Sequence, residues 1–253
     1  MSKSTTTDDI IYGVNPAFET ILAGRRKIYQ ACLGRQALRN PRIQTLSVLC
    51  KKRGIPVEIH EKGRLIHLAC GSRDHQGVVL KTAPYPYASF AETVAAATRL
   101  LLLDNIEDPQ NVGAILRSAE VLGFRNILLP QKGVPGIYAS VAKASAGATE
   151  HLRIVREMNA TQYAKRLLPE NWRILALDAS GDMAPRDCST EADHKILLVI
   201  GGENKGVRQF ILNSAHAVLR IPQHGRINSL NASAAAAIAM YALREPSHRV
   251  EIS

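Results

Sequence analysis

Residues 100–119 read LLLLDNIEDPQNVGAILRSA, and this stretch decides the fold class. The leucines at its start are apolar at every position, which is typical of a strand buried on both faces of a sheet. Asp108 and Pro109 follow in the order that begins a helix, an acceptor side chain and then a proline in the first turn. Val112 and Ile115 continue at helical spacing. The stretch therefore predicts a buried strand that leads into a helix.

Strands and helices alternate in the same way along the rest of the chain beyond residue 97. The predicted strands are Leu100–Leu103, Asn126–Leu129, Arg173–Leu177, Ile196–Ile200 and Ala217–Ile221, and the predicted helices are 111–122, 137–144, 159–168, 207–213 and 231–243. Because the strands are apolar throughout, we expect an α/β fold with a mainly parallel sheet covered by helices.

Two prolines mark a boundary ahead of this region. The segment Thr82–Tyr87 reads TAPYPY, which disfavours a helix and favours an extended connection. We therefore expect a small front domain at residues 1–84, a linker at 85–96 and a larger domain at 97–253.

The front domain has an α/β pattern of its own. Asn15 is expected to cap a short helix that ends near Gly24. A second helix should follow Asn40-Pro41 and end at about Arg53, because Gly54 stops it. The remaining patterns predict strands at Val57–His60 and Gly77–Leu80.

Positive charge is concentrated in this front domain. The formal net charge of the chain is +10, and residues 1–84 hold 14 Lys and Arg against 6 Asp and Glu, whereas the remainder holds 18 against 16. A single basic run is consistent with an ordinary solvated surface, but an excess confined to one third of the chain indicates a polyanionic partner. We therefore expect the front domain to contact nucleic acid.

The sequence gives no indication of a membrane span, a secretory signal or a metal site. Its apolar runs are shorter than the roughly 18 residues that a span needs, and the first ten residues lack an apolar core. A cytoplasmic location is expected. The four cysteines share no C-x-x-C spacing and are interpreted as reduced packing residues rather than zinc ligands.

Three clusters of polar and small residues could form a functional site. The first cluster is Leu103–Ala119 and includes Arg117, whose helical spacing alone favours a position on the surface. Gly201–Gly206 reads GGENKG, which lets the backbone approach a ligand but matches neither a Rossmann turn nor a phosphate loop, and by itself is consistent with a plain turn. In the third cluster, Ser229 or Asn231 can cap an alanine-rich helix that permits close packing.

Taken in order, the three clusters resemble the motifs of the SpoU family of the SPOUT RNA methyltransferases. The pattern D-x-x-x-D-P-x-N-x-G-A-I-x-R-S-A matches Asp104 to Ala119, G-G-E-x-x-G matches Gly201 to Gly206, and I-P-x-x-G-x-x-x-S-L-N-x-S-x-A matches Ile221 to Ala235. Tyr12–Pro16 and His75–Val78 resemble parts of the family's substrate-binding domain. The two-domain layout and Lys143–Ala148 resemble the bacterial and organellar branch that modifies a guanosine in large-subunit ribosomal RNA.

The resemblance implies ribose 2'-O-methylation with S-adenosylmethionine as the methyl donor and no metal. It further implies a C-terminal trefoil knot, a ribosomal-protein-like RNA-binding domain in front, and a homodimer in which both subunits build each active site. The implied donor-binding residues are Gly201, Ile221 and Leu230; the implied catalytic residues are Arg117, which would contact the RNA phosphate and assist the 2'-hydroxyl, and Asn111, Glu203, Ser229 and Asn231, which would complete the site.

Other functions stay open at this point. The enzyme could instead methylate transfer RNA or protect ribosomal RNA from an antibiotic, although the front domain counts against the simplest transfer-RNA type. A non-catalytic ribosome-assembly factor with the same fold is a second alternative, and a general nucleotide-binding α/β protein is a third.

Overall fold

The structure of the protein is a computed structural model that describes residues 9–188, 195–225 and 230–244. Its elements in chain order are β1 (Asp9–Tyr12), α1 (Val14–Ala23), β2 (Ile28–Gly34), α2 (Pro41–Lys52), β3 (Val57–His60), α3 (Lys62–Leu68), β4 (Val78–Thr82), α4 (Phe90–Ala96), β5 (Arg99–Asp104), α5 (Pro109–Val121), β6 (Asn126–Leu128), α6 (Ala139–Ala144), β7 (Arg153–Val155), α7 (Ala160–Leu167), β8 (Trp172–Leu177), β9 (Lys195–Gly201), α8 (Gln209–Ser214), β10 (Ala217–Leu219) and α9 (Ala232–Ala242).

Contacts divide the chain into two compact units, each made of two segments. The first unit combines Met1–Pro86 with Ile137–His151, and the second combines Tyr87–Gly136 with Leu152–Ser253. The segment 137–151 therefore packs with the front part of the chain, although the sequence patterns placed it in the larger domain. The residues expected to form a linker, 85–96, include the helix α4.

The first unit contains a four-stranded sheet within the described residues, in the order β1-β4-β2-β3. Only β2 and β3 run parallel, and the other neighbours are antiparallel. Successive side chains of β2 alternate between two clusters, because Leu33 packs with α1 and α2 and Cys32 packs with α3. Both clusters include residues of the later segment, so 137–151 completes this core.

A buried ion pair joins the two segments of the first unit. The guanidinium of Arg26 contacts the carboxylate of Glu150, with Nη2 at 2.5 Å from Oε1 and Nε at 3.2 Å from Oε2. Both side chains are 1% exposed. Removing either partner of such a pair would leave a buried charge without compensation. The later segment is therefore needed for electrostatic as well as apolar reasons.

One predicted helix start in the first unit is wrong. Helix α1 begins at Val14, its N-cap is Gly13, and Asn15 lies inside the helix. The amide of Val14 donates instead to Oε1 of Gln76, 62 residues away, at 3.1 Å. Tertiary structure thus supplies the cap that a local side chain was expected to provide. The prediction at Asn40 is confirmed, since its side chain accepts from Arg42 N.

The second unit is built on a six-stranded sheet within the described residues, in the order β10-β8-β9-β5-β6-β7, with every neighbouring pair parallel. Residues 100–103 of β5 are all fully buried. Leu100 and Leu102 pack into a cluster with α7, and strand alternation directs Leu101 and Leu103 to the opposite face. The α/β fold with a buried parallel sheet is confirmed.

Most predicted elements of this unit are present with small shifts at their ends. The strand predicted at Ala217–Ile221 ends at Leu219, which leaves Ile221 in a loop. Asp108 caps α5 by accepting from Gln110 N at 3.0 Å, and Asn231 caps α9 by accepting from Ser233 N at 2.9 Å. In the part of the chain that the structure describes, no helix combines the length and apolarity that crossing a membrane requires.

Candidate active site

The candidate site lies at the carboxyl edge of the six-stranded sheet. Strand β5 ends at Asp104 and its neighbour β9 ends at Gly201, and these two residues are register partners. Strands β8 and β10 end beside them at Leu177 and Leu219. Parallel α/β sheets bind ligands at this edge because the loops after neighbouring strands meet there.

The loops after β5 and β9 are packed backbone against backbone. A Cβ at Gly202 would lie 2.0 Å from the carbonyl oxygen of Asn105, and one at Gly201 would lie 2.5 Å from the carbonyl carbon of Gly206. Asn105 has a positive φ of 56° and donates through Nδ2 to the carbonyl of Gly206 at 3.2 Å. Glycine is therefore required at both positions of the turn for steric reasons.

An ion pair between a buried carboxylate and a partly exposed arginine holds the same two loops together. Asp104 is fully buried and accepts from the backbone amide of Arg208 at 2.8 Å and from its guanidinium. Burial raises the pKa of Asp104 above its ordinary value, while the hydrogen bonds and charge of Arg208 oppose that shift. We consider the carboxylate ionised, because the guanidinium contacts it directly. Neither residue was singled out for this role by the sequence patterns.

Three of the five predicted catalytic residues meet in one hydrogen-bonded cluster. Oε1 of Glu203 accepts from Asn231 Nδ2 at 2.9 Å, from the amide of Ala232 at 3.2 Å and from Asn111 Nδ2 at 3.4 Å. Asn231 Nδ2 also lies 2.9 Å from Asn111 Oδ1. These residues come from α5, the loop after β9 and the N-terminus of α9. The fold thus brings side chains 120 residues apart into direct contact.

A cavity of about 240 Å³ lies beside this cluster. All three predicted donor-binding residues, Gly201, Ile221 and Leu230, line it. Its wall also includes charged residues and further apolar ones, namely Leu177, Asp178, Ala179, Ile200, Gly202, Glu203, Gly206, Arg220, Gln223, Ala232 and Ala235. The cavity therefore offers an apolar surface, glycine backbone and charges of both signs.

A second, smaller hollow of about 160 Å³ lies on the side of Asn111 and shares Glu203 with the first. Lys205 and Glu107 line it and form an exposed ion pair at 2.7 Å. The hydrogen bond and charge of Lys205 lower the pKa of Glu107. The polar cluster thus borders two hollows, a larger one with apolar and charged walls and a smaller one that is mainly polar.

The remaining two predicted catalytic residues are not part of this cluster. Arg117 is exposed on α5, about 9 Å along the helix axis from Asn111 at 1.5 Å per residue. It lines neither of the two cavities described above. Ser229 lies outside the described residues.

One group of possible metal ligands occurs in the first unit. Ligand atoms of Cys32, Glu58 and His60 lie within 4.8 Å of one another. Glu58 already contacts His60 Nε2 at 3.0 Å, and burial raises the pKa of the Cys32 thiol. A thiol must be deprotonated to bind a metal, so these surroundings do not favour one. The absence of a metal requirement stays a prediction.

Comparison with known proteins places this geometry in a family. Residues 98–241 match the SpoU rRNA methylase family, and residues 10–88 match the family of RNA 2'-O ribose methyltransferase substrate-binding domains. A TrmH family tRNA/rRNA methyltransferase of Bacillus subtilis is 32% identical over 239 residues, which cover 92% of this chain and 94% of that protein. A relative of the same description from Staphylococcus epidermidis is 30% identical over 96% of this chain and 98% of its own.

Solved structures share the fold. The crystal structure of an RNA 2'-O ribose methyltransferase superposes with a TM-score of 0.76 at 21% identity, over 95% of this chain and 89% of that one. An AdoMet-bound rRNA methyltransferase from Sinorhizobium meliloti gives 0.75 at 20% identity, over 94% and 87%. The class that fold and site define is that of the RNA 2'-O-ribose methyltransferases. Within it, the chain belongs to the SpoU methylase family, as the three sequence clusters indicated.

Proposed function

We propose that the protein transfers a methyl group from S-adenosylmethionine to the 2'-hydroxyl of a guanosine ribose in large-subunit ribosomal RNA. The observation that carries this proposal is the cluster of Asn111, Glu203 and Asn231 beside the cavity lined by Gly201, Ile221 and Leu230. The transfer needs the methyl carbon of the donor and the ribose hydroxyl next to each other with a polar group within reach, and the two adjoining hollows that share Glu203 provide such an arrangement.

The residues of the larger cavity suit this donor. Its apolar side chains can cover an adenine ring, and the glycines at 201, 202 and 206 add lining without side chains that would fill the cavity. When bound, the donor supplies a methyl carbon on a positively charged sulfur. The carboxylate of Glu203 would stabilise that positive charge, which a neutral pocket would not.

The chemical difficulty is a weak nucleophile, because a ribose hydroxyl must lose its proton as it attacks. Asn111 and Asn231 fix the orientation of the Glu203 carboxylate, so that its second oxygen is available to a hydroxyl that enters the smaller hollow. Ser229 would add a further polar contact. Arg117 is a poor base because the pKa of arginine is above about 12. Its role would be to hold the RNA phosphate and to stabilise the developing alkoxide.

The position of Arg117 supports a homodimer with shared sites. Arg117 and Val121 lie one turn apart on the exposed side of α5, and Val121 is 73% exposed. On α9, Ile238 is 44% and Tyr241 is 59% exposed at helical spacing. Large apolar side chains that stay exposed on neighbouring helices are typical of a subunit interface. Burial of this surface against a second copy would carry Arg117 to the partner's polar cluster.

A mixing experiment tests this shared site. Arg117→Ala and Glu203→Ala are each expected to inactivate the enzyme. If the two residues act across the interface, half of the sites in each mixed dimer are intact, and an equal mixture regains about a quarter of wild-type activity. If they act within one chain, the mixture stays inactive. As a control for assembly, Tyr241→Glu should yield monomers in light scattering.

The RNA target is tested separately. The names of the relatives include both tRNA and rRNA, so transfer RNA is the main alternative substrate. The protein is incubated with labelled S-adenosylmethionine and total RNA from a strain that lacks it, and the methylated ribose is mapped. We expect the label on a guanosine of large-subunit RNA; label confined to transfer RNA would contradict the target. The cytoplasmic location and the trefoil knot stay predictions.

A further inference from the structure

Asp178 lines the larger cavity, and no motif of the sequence pointed to it. It directly follows β8, and its backbone amide donates to the carbonyl of Leu219 at 3.0 Å, which fixes the chain at this point. Its Oδ1 accepts from the amide of Ser180 at 3.0 Å and from the hydroxyl of Ser180 at 2.8 Å. The carboxylate is therefore held in a defined orientation through one oxygen.

The other oxygen, Oδ2, accepts no hydrogen bond from the described part of the chain. It faces Gly206, where an added Cβ would lie 3.0 Å away. Gly206 has a positive φ of 57° and lines the same cavity. The absence of a side chain at this position keeps the space beside Oδ2 open, so a ligand in the cavity can reach it.

We propose that Asp178 recognises the nucleoside part of the methyl donor by accepting a hydrogen bond from its ribose hydroxyls at Oδ2. A carboxylate only accepts, so its partner in the ligand must be an O–H or N–H group. The donor offers three such groups, the ribose diol, the 6-amino group of the adenine and the ammonium of its amino-acid part. This inference rests on the proposed function, because it assumes that the cavity binds S-adenosylmethionine.

The surroundings of Asp178 favour the diol. Leu177 and Ile200 line the same cavity and are suited to the purine, to which the ribose is directly attached. Arg220 follows β10, the strand next to β8, and also lines the cavity, so it adds positive charge there. A second cation beside Arg220 would be repelled, whereas a neutral hydroxyl would not. Carboxylates near strand ends of parallel sheets bind ribose hydroxyls in the same way in dinucleotide-binding folds.

Calorimetry on the full chain tests this assignment with two ligands, S-adenosylhomocysteine and 5'-methylthioadenosine. Both contain the ribose diol, but the second lacks the amino-acid part. We expect Asp178→Asn to weaken both by roughly 10- to 100-fold, the range for a hydrogen bond to a charged group. Asp182→Asn is the matched control. Asp182 is exposed, lies four residues after Asp178 and does not line the cavity, so its replacement removes the same charge and should leave the affinity for both ligands as in the wild type.

Asp178→Ala is the second variant, and thermal unfolding monitors the fold of each protein. A 2'-deoxy or 3'-deoxy analogue of S-adenosylhomocysteine should bind the wild type more weakly than S-adenosylhomocysteine does. It should bind Asp178→Asn almost as well as it binds the wild type, because the missing hydroxyl and the missing acceptor belong to one contact. Loss for S-adenosylhomocysteine alone would assign Asp178 to the ammonium and overturn the proposal, as would unchanged affinity for both ligands. A full further loss of the deoxy analogues with Asp178→Asn would assign it to the adenine amino group and overturn the proposal as well. If the wild type binds neither ligand, the proposed function itself fails.

Discussion

Replacing Gly202 with alanine tests whether the contact between the loops after β5 and β9 sets the catalytic geometry. The added Cβ would lie 2.0 Å from the carbonyl oxygen of Asn105 and 2.8 Å from its carbonyl carbon. Non-bonded carbon and oxygen atoms approach to about 3.3 Å, so one loop must move by about 1 Å. The obstacle is backbone on both sides, and no side chain can rotate away to relieve it.

A shift of this size acts on the hydrogen bond from Gly202 N to the carbonyl of Asp104, now 2.9 Å, and on the adjacent carboxylate of Glu203. We expect the free energy of unfolding to fall by roughly 1–3 kcal/mol, as for overpacking of a filled core. The turnover number should fall by about 100-fold, as for a misplacement of 1 Å. The assay measures methyl transfer to total RNA together with the dissociation constant of S-adenosylhomocysteine.

The matched control is Gly63→Ala, because a Cβ at Gly63 on α3 would meet no heavy atom within 4 Å. This variant should keep wild-type turnover and wild-type donor affinity. Wild-type turnover and stability in Gly202→Ala would refute the argument, since the loops would then tolerate a separation that the packing excludes.

Three further predictions concern other parts of the molecule. Asp104→Ala should lower the free energy of unfolding in a urea titration by roughly 2–4 kcal/mol, because the amide and guanidinium of Arg208 lose a buried acceptor; an unchanged midpoint would contradict this. Asn231→Ala should reduce turnover by about 100-fold with little change in the affinity for S-adenosylhomocysteine, because Asn231 orients Glu203 but does not line the cavity. Weaker binding of S-adenosylhomocysteine with unchanged turnover would contradict this prediction. At pH 8, a thiol reagent should modify the exposed Cys70 first and Cys50 only on unfolding, because burial raises the pKa of Cys50 to about 11 and so lowers its thiolate fraction. Equal rates of modification of the two cysteines in the folded protein would contradict the burial of Cys50.

The strands and helix starts of the second unit could be predicted from local sequence. Strand β5 has a leucine at each of positions 100–103 because both faces of this strand are covered, so the residue types alone indicate that it is buried. Asp108 caps α5 by accepting a hydrogen bond from the amide of Gln110, two residues later, which is also a local interaction. Strand β7 was missed because three residues, Arg153–Val155, are too few for a pattern.

The contacts that shape the site could not be predicted in the same way. Asp104 and Arg208 pair over 104 positions, and nothing near either residue indicates the partner. Gly202 could be recognised as a turn residue, but the carbonyl of Asn105 that excludes a side chain there belongs to the loop after β5, far away in sequence. The resemblance to a family identified the polar cluster, whereas the packing that holds it depends on the tertiary structure.

The division of the first unit into two segments has a consequence for biosynthesis. Its core and the buried charge of Arg26 are incomplete until Glu150 has been added, long after the ribosome has passed Pro86. The nascent chain must therefore hold its early part in an unfinished state while the first strands of the second unit are made, a delay of seconds at ordinary rates of synthesis. A fragment that stops near residue 86 would never complete this core. It would therefore be a substrate for chaperones and proteases rather than an independently folded RNA-binding domain.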